Sequence, residues 1–214
     1  TKSIAGGSFD VVERPVTLPD TSDWLEPMTG TNPHSGMVCV ENGRRGLAVL
    51  SFGLTEYEVL DTEAGSVALT LLRTCGYPKM SGLGREDRVV RQSNEGSQCL
   101  GKQTYQLALY CYSGSWEAGG VIRQEAEHKA PPITAQHSRF AGRGLSRCES
   151  FIRLEPDTLC LSAVKRAEKG DSVVVRFYNP TGEKVTGRLW TRFKIRKARL
   201  LDLSEEAIEP LRSE

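Results

Sequence analysis

Short runs in which hydrophobic and polar residues alternate recur along the 214-residue chain. The run from Met37 to Val40 leads to Asn42-Gly43, a dipeptide that favours two-residue hairpin loops, and the apolar run resumes at Leu47. Glu56–Val59 and Val67–Leu72 flank a polar loop in the same way. Period-two alternation is typical of half-buried strands, so these segments predict antiparallel hairpins.

The second half of the chain continues this pattern. Leu159–Val164 and Ser172–Tyr178 predict a third hairpin, and the following Asn179-Pro-Thr-Gly182 predicts a turn into a strand that ends at Trp190. Tyr105–Tyr112 carries bulky residues on both faces, which predicts a strand in the middle of a sheet.

Helical spacing of apolar residues is almost absent. A single helical turn is predicted at Ser204–Ile208, where Ser204 can act as the N-cap. The aperiodic segments 77–97 and 119–144 predict long loops. Roughly ten or more short strands in a chain of this length predict an all-β fold. We expect an antiparallel β-sandwich with long loops, formed as a single domain over residues 1–214.

The charge of the chain favours neither nucleic acid nor membrane as a partner. Its 28 Lys and Arg residues nearly balance its 27 Asp and Glu residues, for a net charge of +1. Its apolar runs fall far short of the ~18 residues that indicate a membrane span. The basic segment Thr191–Arg199 alternates so that Arg192, Lys194 and Arg196 share one face, while Phe193 is predicted to point inward. We interpret that face as solvated or as a docking surface, because nucleic-acid binding would need exposed aromatic residues beside it.

The six cysteines predict reduced thiols. None forms a Cys-x-x-Cys pair, and a chain of 214 residues does not require disulfides to fold. Cys39, Cys111 and Cys160 lie in apolar strand-like runs, where cysteine packs as a small hydrophobic residue. Reduced thiols fit a cytoplasmic location best.

The chain carries no motif for catalysis or metal binding. Its histidines, His34, His128 and His137, are scattered and form no His-x-x-x-His pair. Gly-x-Ser-x-Gly and Gly-x4-Gly-Lys-Ser/Thr are also missing, and the surroundings of Gly142-Arg-Gly144 are not those of a dinucleotide site. The residues therefore predict no catalytic residue, no metal ligand and no cofactor in this chain.

Gly46–Val59, followed by Val67–Arg73, resembles the C-terminal β-region of glycoside hydrolase family 38. This is the family of α-mannosidases and mannosylglycerate hydrolases, and the resemblance is to its bacterial members. Further segments agree in the same order: Ser8–Val12, Gln98–Gly101, Tyr105–Trp116, Leu161–Glu168 and Val173–Gly182. Together they span nearly the whole chain. Ser51 is a departure, since relatives are expected to carry asparagine there.

The resemblance implies a larger enzyme, in which an α/β catalytic domain and a helical bundle precede this β-region. Such enzymes are retaining α-mannosidases with an Asp nucleophile and a zinc or other divalent ion, and those residues belong to the catalytic domain. The implied partners are that missing N-terminal catalytic domain of the same polypeptide and a mannose-containing carbohydrate. The chain alone is expected to be inactive.

Three arginines are candidates for contact with the substrate. In relatives, loops of the β-region approach the sugar site, and the resemblance points to Arg73, Arg85 and Arg88. A guanidinium group offers a rigid fork of donors for hydroxyls or a carboxylate. Ion pairs within the loops are the alternative. Trp116 and Tyr57 could stack on a pyranose ring, with packing in the core as the alternative.

Three possible functions of the chain remain open from the sequence. The first is a non-catalytic β-sandwich that buttresses a family 38 glycosidase, and it predicts an exposed apolar patch where the catalytic part docks. The second is an autonomous carbohydrate-binding module, which requires exposed coplanar aromatic residues. The third is a structural β-sandwich of an unrelated assembly.

Overall fold

The computed structural model describes residues 2–26, 28–61, 65–74, 95–136 and 148–211. Strands dominate these residues, so the predicted all-β fold is confirmed. The strands are β1 (Lys2–Gly6), β2 (Val11–Pro15), β3 (Thr31–Pro33), β4 (Met37–Glu41), β5 (Arg45–Ser51), β6 (Glu56–Leu60), β7 (Ser66–Leu69), β8 (Leu107–Ser113), β9 (Ile152–Glu155), β10 (Cys160–Arg166), β11 (Val173–Tyr178), β12 (Arg188–Thr191), β13 (Ala198–Leu201) and β14 (Ala207–Leu211). A 3-10 turn at Glu95–Gln98 and one helix, α1 (Val121–Lys129), complete the described elements.

A five-stranded antiparallel sheet, in the order β2-β1-β4-β5-β8, forms the centre of the fold. The hairpin predicted at Asn42-Gly43 is confirmed as β4–β5. The Asn42 side-chain oxygen accepts hydrogen bonds from the backbone N–H of Arg44 at 3.1 Å and of Arg45 at 3.2 Å. Gly43 has φ +81°, a conformation that glycine adopts without a steric cost. The turn is therefore built from local sequence alone.

Apolar residues cover both faces of this sheet. On one face, Ala5 and Val38 pack against Tyr57 and Val59 of a second sheet, β3-β6-β7, which contains the predicted β6–β7 hairpin. On the other face, α1 and the segment before it contribute to a cluster of buried side chains: Ile4, Met37, Cys39, Leu50, Tyr112, Trp116 and Val121. The five-stranded sheet is thus a middle layer between a sheet and a helix.

The C-terminal part, residues 148–211, consists of three two-stranded antiparallel ribbons. They are β10–β11, which is the third predicted hairpin, β9–β12 and β13–β14. Only Cys160 and Pro180 are buried in this range. Two-stranded ribbons are marginally stable in water without packing against something else. The described residues of this part therefore form no core of their own.

Helix α1 corrects the prediction of a loop over 119–144. Its nine residues include one buried residue, Val121, so the helix leaves almost no apolar stripe in the sequence. Two ion pairs at i,i+4 spacing support it instead, Arg123–Glu127 at 3.0 Å and Glu125–Lys129 at 2.5 Å. Val121 and the partly buried Ile122 pack on the sheet, and these contacts are not visible in the local pattern.

The helical turn predicted at Ser204–Ile208 is wrong, because Ala207–Leu211 is strand β14 and pairs with β13. The side chain of Asp202 accepts hydrogen bonds from the backbone N–H of Ser204 and of Glu206, both at 2.9 Å, and closes a tight turn between these strands. An Asx-type turn competes with helix capping for the same polar residues, and here it prevails.

Two predictions about burial are also wrong. β8 is an edge strand of the sheet that the described residues form, not a central one, and Cys111 on it is exposed. Phe193 is 47% exposed although alternation predicted that it points inward. In both cases the sequence carries an apolar face that the described residues leave uncovered.

Candidate functional site

Of the three arginines predicted beside the substrate, Arg73 is described, while Arg85 and Arg88 lie outside the described residues. Arg73 follows β7 and is 76% exposed at its side chain. One guanidinium nitrogen donates to both carboxylate oxygens of Glu56, at 2.9 and 2.8 Å. The Thr70 hydroxyl also donates to this carboxylate, at 2.7 Å. The Thr70 hydrogen bond is the largest cause of the lowered pKa of Glu56, and Arg73 adds to it.

The two aromatic residues considered for sugar stacking are core residues. Tyr57 packs between the two sheets, and its hydroxyl accepts a hydrogen bond from Arg14 at 3.1 Å. Trp116 packs against the helix side of the five-stranded sheet. Its backbone N–H and the Tyr112 hydroxyl both donate to one oxygen of the buried Glu41, each at 2.9 Å. The alternative interpretation of these residues, packing in the core, is therefore confirmed.

A buried histidine lies beside Tyr57. The ring of His34 meets the ring of Tyr57 edge-on at 5.7 Å, and neither of its nitrogens has a hydrogen-bond partner among the described residues. Burial, with a contribution from the positive charge of Lys129, lowers the pKa of His34 from 6.5 to about 4. The Ser51 hydroxyl is likewise buried without a partner in the described part. These groups are polar, but they form no open site.

The described residues do not assemble a metal site, since no group of three or more His, Cys, Asp or Glu side chains converges within them. Nor is any helix in these ranges long and apolar enough to span a membrane. A cleft of about 270 Å³ lies where β1–β2 approaches β3–β6, with Asn32, Glu58 and Asp61 among its lining residues. Tyr57 also lines it but is almost fully buried, so the cleft presents no aromatic face for a sugar ring.

The β10–β11 ribbon presents the clearest exposed apolar surface of the C-terminal part. Its register places Leu161 opposite Phe177 and Val164 opposite Val175, with a bulge at Ser162. Side chains of directly opposed residues share a face. One face therefore carries Leu161, Val164, Val173, Val175 and Phe177, which we call the β10–β11 apolar face, and Arg166 lies at its end opposite Val173. Four of these side chains are about half exposed, and Val175 is partly buried.

The opposite face of the same ribbon packs against the rest of the chain. Tyr178 contacts the ring of Phe9 edge-on at 5.6 Å, and the Arg176 guanidinium lies 5.7 Å from the centroid of that ring. Cys160, opposite Tyr178, is buried. Because this side anchors the ribbon, the β10–β11 apolar face points away from that contact.

Sequence reasoning expected an apolar docking patch but did not locate it. The alternation of Val173, Val175 and Phe177 was a usable signal for β11. The bulge at Ser162 was not predictable, and without it Leu161 and Val164 would lie on opposite faces.

Comparisons with known proteins match this chain along its length. Residues 158–214 match the model of the glycosyl hydrolases family 38 C-terminal beta sandwich domain. A protein of Halalkalibacterium halodurans named "Putative mannosylglycerate hydrolase" is 27% identical over 179 residues, which are 84% of this chain. An α-mannosidase from Enterococcus faecalis V583 has a crystal structure that aligns with 99% of the chain at a TM-score of 0.78 and 25% identity.

A second crystal structure from Enterococcus faecalis, of a protein in glycosyl hydrolase family 38, has the same fold over 99% of the chain, with a TM-score of 0.75 and 24% identity. The chain spans only a fraction of each relative. It covers 18% of the Halalkalibacterium protein and 23% and 24% of the two Enterococcus chains.

Proposed function

We propose that this chain, which belongs to the C-terminal β-region of glycoside hydrolase family 38, buttresses the catalytic domain of an α-mannosidase-like retaining enzyme. In this proposal the chain supplies no nucleophile, no acid and no metal ligand. The catalytic domain would provide them, together with zinc or another divalent ion. A mannose-containing carbohydrate would be the substrate of the whole enzyme.

The observation that carries the proposal is the incomplete burial of the C-terminal part. Residues 148–211 form three ribbons with two buried residues, and the β10–β11 apolar face is uncovered. Completing the burial of a half-exposed Leu, Val or Phe side chain would contribute roughly 1 kcal/mol, about half of the full transfer value. Four such side chains on one ribbon form a surface suited to a neighbouring domain.

An activity assay tests whether the chain supports the catalytic domain without catalysing the reaction itself. We expect the chain alone to leave aryl α-mannosides unhydrolysed, with or without zinc, and the complete polypeptide to hydrolyse them. Turnover that copurifies with the monodisperse chain would contradict the proposal. So would a catalytic portion that is equally active and equally stable without the chain.

Substitutions on the β10–β11 apolar face test the buttress itself. Phe177→Asp places a charge in the proposed contact, so we expect the complete enzyme to lose thermal stability and the chain to bind the catalytic portion at least tenfold more weakly. Leu203→Asp is the matched control, because Leu203 is 85% exposed in the turn between β13 and β14. Equal effects of the two substitutions would show that this face is not the contact.

We propose that the side chain of Arg73, the candidate arginine that the structure describes, takes part in sugar binding. Its guanidinium is held by Glu56 and remains mostly exposed, so it can be positioned and accessible at once. In the complete enzyme, Arg73→Ala is expected to lower kcat/KM at least tenfold. Arg123→Ala is the control, since Arg123 is another exposed arginine in an ion pair, with Glu127. A kcat/KM unchanged by both substitutions would leave Arg73 a structural ion-pair residue.

A carbohydrate-binding module is the second candidate, and Trp190 is the observation that favours it. The indole is 49% exposed, with the Arg153 guanidinium 5.8 Å from its centroid and Glu155 accepting its N–H at 3.3 Å. Within the described residues, the near-coplanar ring pair is Tyr110 with Tyr112, and Tyr112 is buried. Calorimetric titration of the chain with manno-oligosaccharides, repeated with Trp190→Ala, decides between the candidates.

A further inference from the structure

The outer edge of β8 is open in the part of the chain that the structure describes. β8 pairs with β5 over its whole length, from Leu107 opposite Ser51 to Ser113 opposite Arg45. No described strand pairs with its other side, since the sheet order ends at β8. A seven-residue strand therefore presents one row of backbone donors and acceptors outward.

The hydrogen-bond register identifies the outward groups. The Gly114 N–H donates to the Arg44 carbonyl at 2.9 Å, and the Phe52 N–H donates to the Gln106 carbonyl at 3.4 Å. Bonded pairs in an antiparallel ladder recur every two residues, so the even-numbered residues of β8 bond to β5. The N–H and C=O groups of the odd-numbered residues, Leu107, Leu109 and Cys111, face the open edge.

The side chains of these same three residues are also uncovered. Leu109 lies opposite Val49 and Cys111 opposite Leu47, so they share the sheet face of those residues. Leu109 is 72% exposed, Leu107 is 46% exposed and Cys111 is exposed. An open backbone edge and an exposed apolar face therefore coincide on one strand.

The two edge strands of the sheet differ in whether they carry residues that prevent another strand from pairing with them. β2, at the opposite edge, carries Glu13, Arg14 and Pro15, and charges and proline are the residues that prevent strand addition at edges. β8 reads Leu-Ala-Leu-Tyr-Cys-Tyr-Ser, without a charge, a proline or a glycine. An edge of this kind aggregates unless something covers it, so β8 has the properties of a strand that is paired in the working protein.

We infer that β8 pairs with an extended segment from the catalytic portion of the enzyme, which adds a sixth strand to the five-stranded sheet. The source of the segment follows from length, because the chain covers only 18% to 24% of its relatives and three quarters or more of such a polypeptide lies outside it. The segment would bond to the backbone of Leu107, Leu109 and Cys111 and place apolar side chains on their exposed face. This inference rests on the proposed function and specifies how the two parts join.

Amide hydrogen exchange at single-residue resolution tests the pairing. In the 214-residue chain alone, we expect the amides of Leu107, Leu109 and Cys111 to exchange at least about 100-fold faster than those of Ala108 and Tyr110, which bond to β5. In the complete polypeptide, all five amides are expected to exchange slowly. Alkylation of Cys111 is expected to slow at least tenfold in the complete polypeptide.

A charge substitution adds a second readout. Leu109→Lys in the complete polypeptide should restore fast exchange at the odd-numbered amides and lower the melting temperature. In the chain alone it should change little, because the side chain is already exposed. Leu203→Lys, at an exposed position away from β8, is the control and should do neither.

The outcomes separate this inference from the proposed function. In one outcome, the odd-numbered amides of β8 exchange fast in the complete polypeptide, although its activity depends on the chain. That result would overturn the strand pairing and leave the buttress intact. A catalytic portion that neither binds nor needs the chain would overturn both. Protection of the odd-numbered amides in the chain alone that rises with its concentration would show that a second copy pairs with β8, which would also overturn the assignment.

Discussion

The buried His34 makes the stability of the chain depend on pH in a defined direction. The imidazole is almost fully buried, contacts the edge of Tyr57 and has no hydrogen-bond partner among the described residues. Lys129 lies close enough to disfavour a second positive charge, although Glu125 pairs with it at 2.5 Å. With burial as the larger cause, the pKa of His34 falls from 6.5 to about 4, so the folded chain holds this ring neutral.

The magnitude follows from the difference between the folded and unfolded pKa values. Between pH 6.5 and 4 the unfolded chain binds a proton at His34 that the folded chain excludes, so the free energy of unfolding falls as the pH falls. The full loss, reached below pH 4, is about 3 kcal/mol. About 2 kcal/mol of it is lost between pH 7 and pH 5. For a chain of this size, 2 kcal/mol corresponds to roughly 4–8 °C in melting temperature.

Urea unfolding of the wild type and of His34→Leu at pH 7 and pH 5 measures this contribution. The substitution breaks no described hydrogen bond, so at pH 7 we expect it to cost less than about 1.5 kcal/mol. Between pH 7 and pH 5 the variant should lose about 2 kcal/mol less than the wild type. Titrating groups that the two proteins share cancel in this difference. Equal losses in the two proteins, or an NMR titration of His34 near pH 6.5, would refute the reasoning.

Two further predictions concern buried polar groups. Tyr112→Phe removes a donor to the buried Glu41 and should cost about 2 kcal/mol in urea unfolding, because hydrogen bonds to charged groups are the stronger kind. Tyr110→Phe, which removes a bond to the Gly119 carbonyl, should cost about 1 kcal/mol, and equal costs would contradict this account. Burial raises the pKa of the fully buried Cys39 to about 12, so a thiol reagent should modify the exposed Cys111 at least about 1,000-fold faster. Peptide mapping by mass spectrometry measures the two rates, and comparable rates in the folded chain would show that Cys39 is accessible.

The hairpins were predictable because their information is local. The Asn42 side chain and the positive φ of Gly43 build the β4–β5 turn from residues within four positions of one another. The strands on either side are short apolar runs, because both faces of the five-stranded sheet are covered. The same reasoning gave β6–β7 and β10–β11, whose strands are also separated by few and mostly polar residues in the sequence.

The wrong predictions concern features that long-range packing decides. Helix α1 packs on the sheet through Val121 and the partly buried Ile122, and these contacts join positions far apart in the sequence. Phe193 and the outward face of β8 are apolar in sequence and exposed in the structure, because nothing among the described residues covers them. Periodicity states which side chains share a face, but it does not state whether that face has a partner.

The candidate site also combines features that the sequence predicts with features that only the structure shows. Sequence resemblance pointed to Arg73, but only the structure pairs it with Glu56 and with the Thr70 hydrogen bond to that carboxylate. Trp116 and Tyr57 have the chemistry for sugar stacking, yet their burial assigns them to the core. Residue type and order therefore determined that this is a β-rich chain similar to the C-terminal region of family 38 enzymes, since turns and apolar runs are encoded over a few residues. The tertiary structure decided which side chains are buried, paired or left open at β8 and on the β10–β11 apolar face, because burial depends on contacts between segments that are distant along the chain.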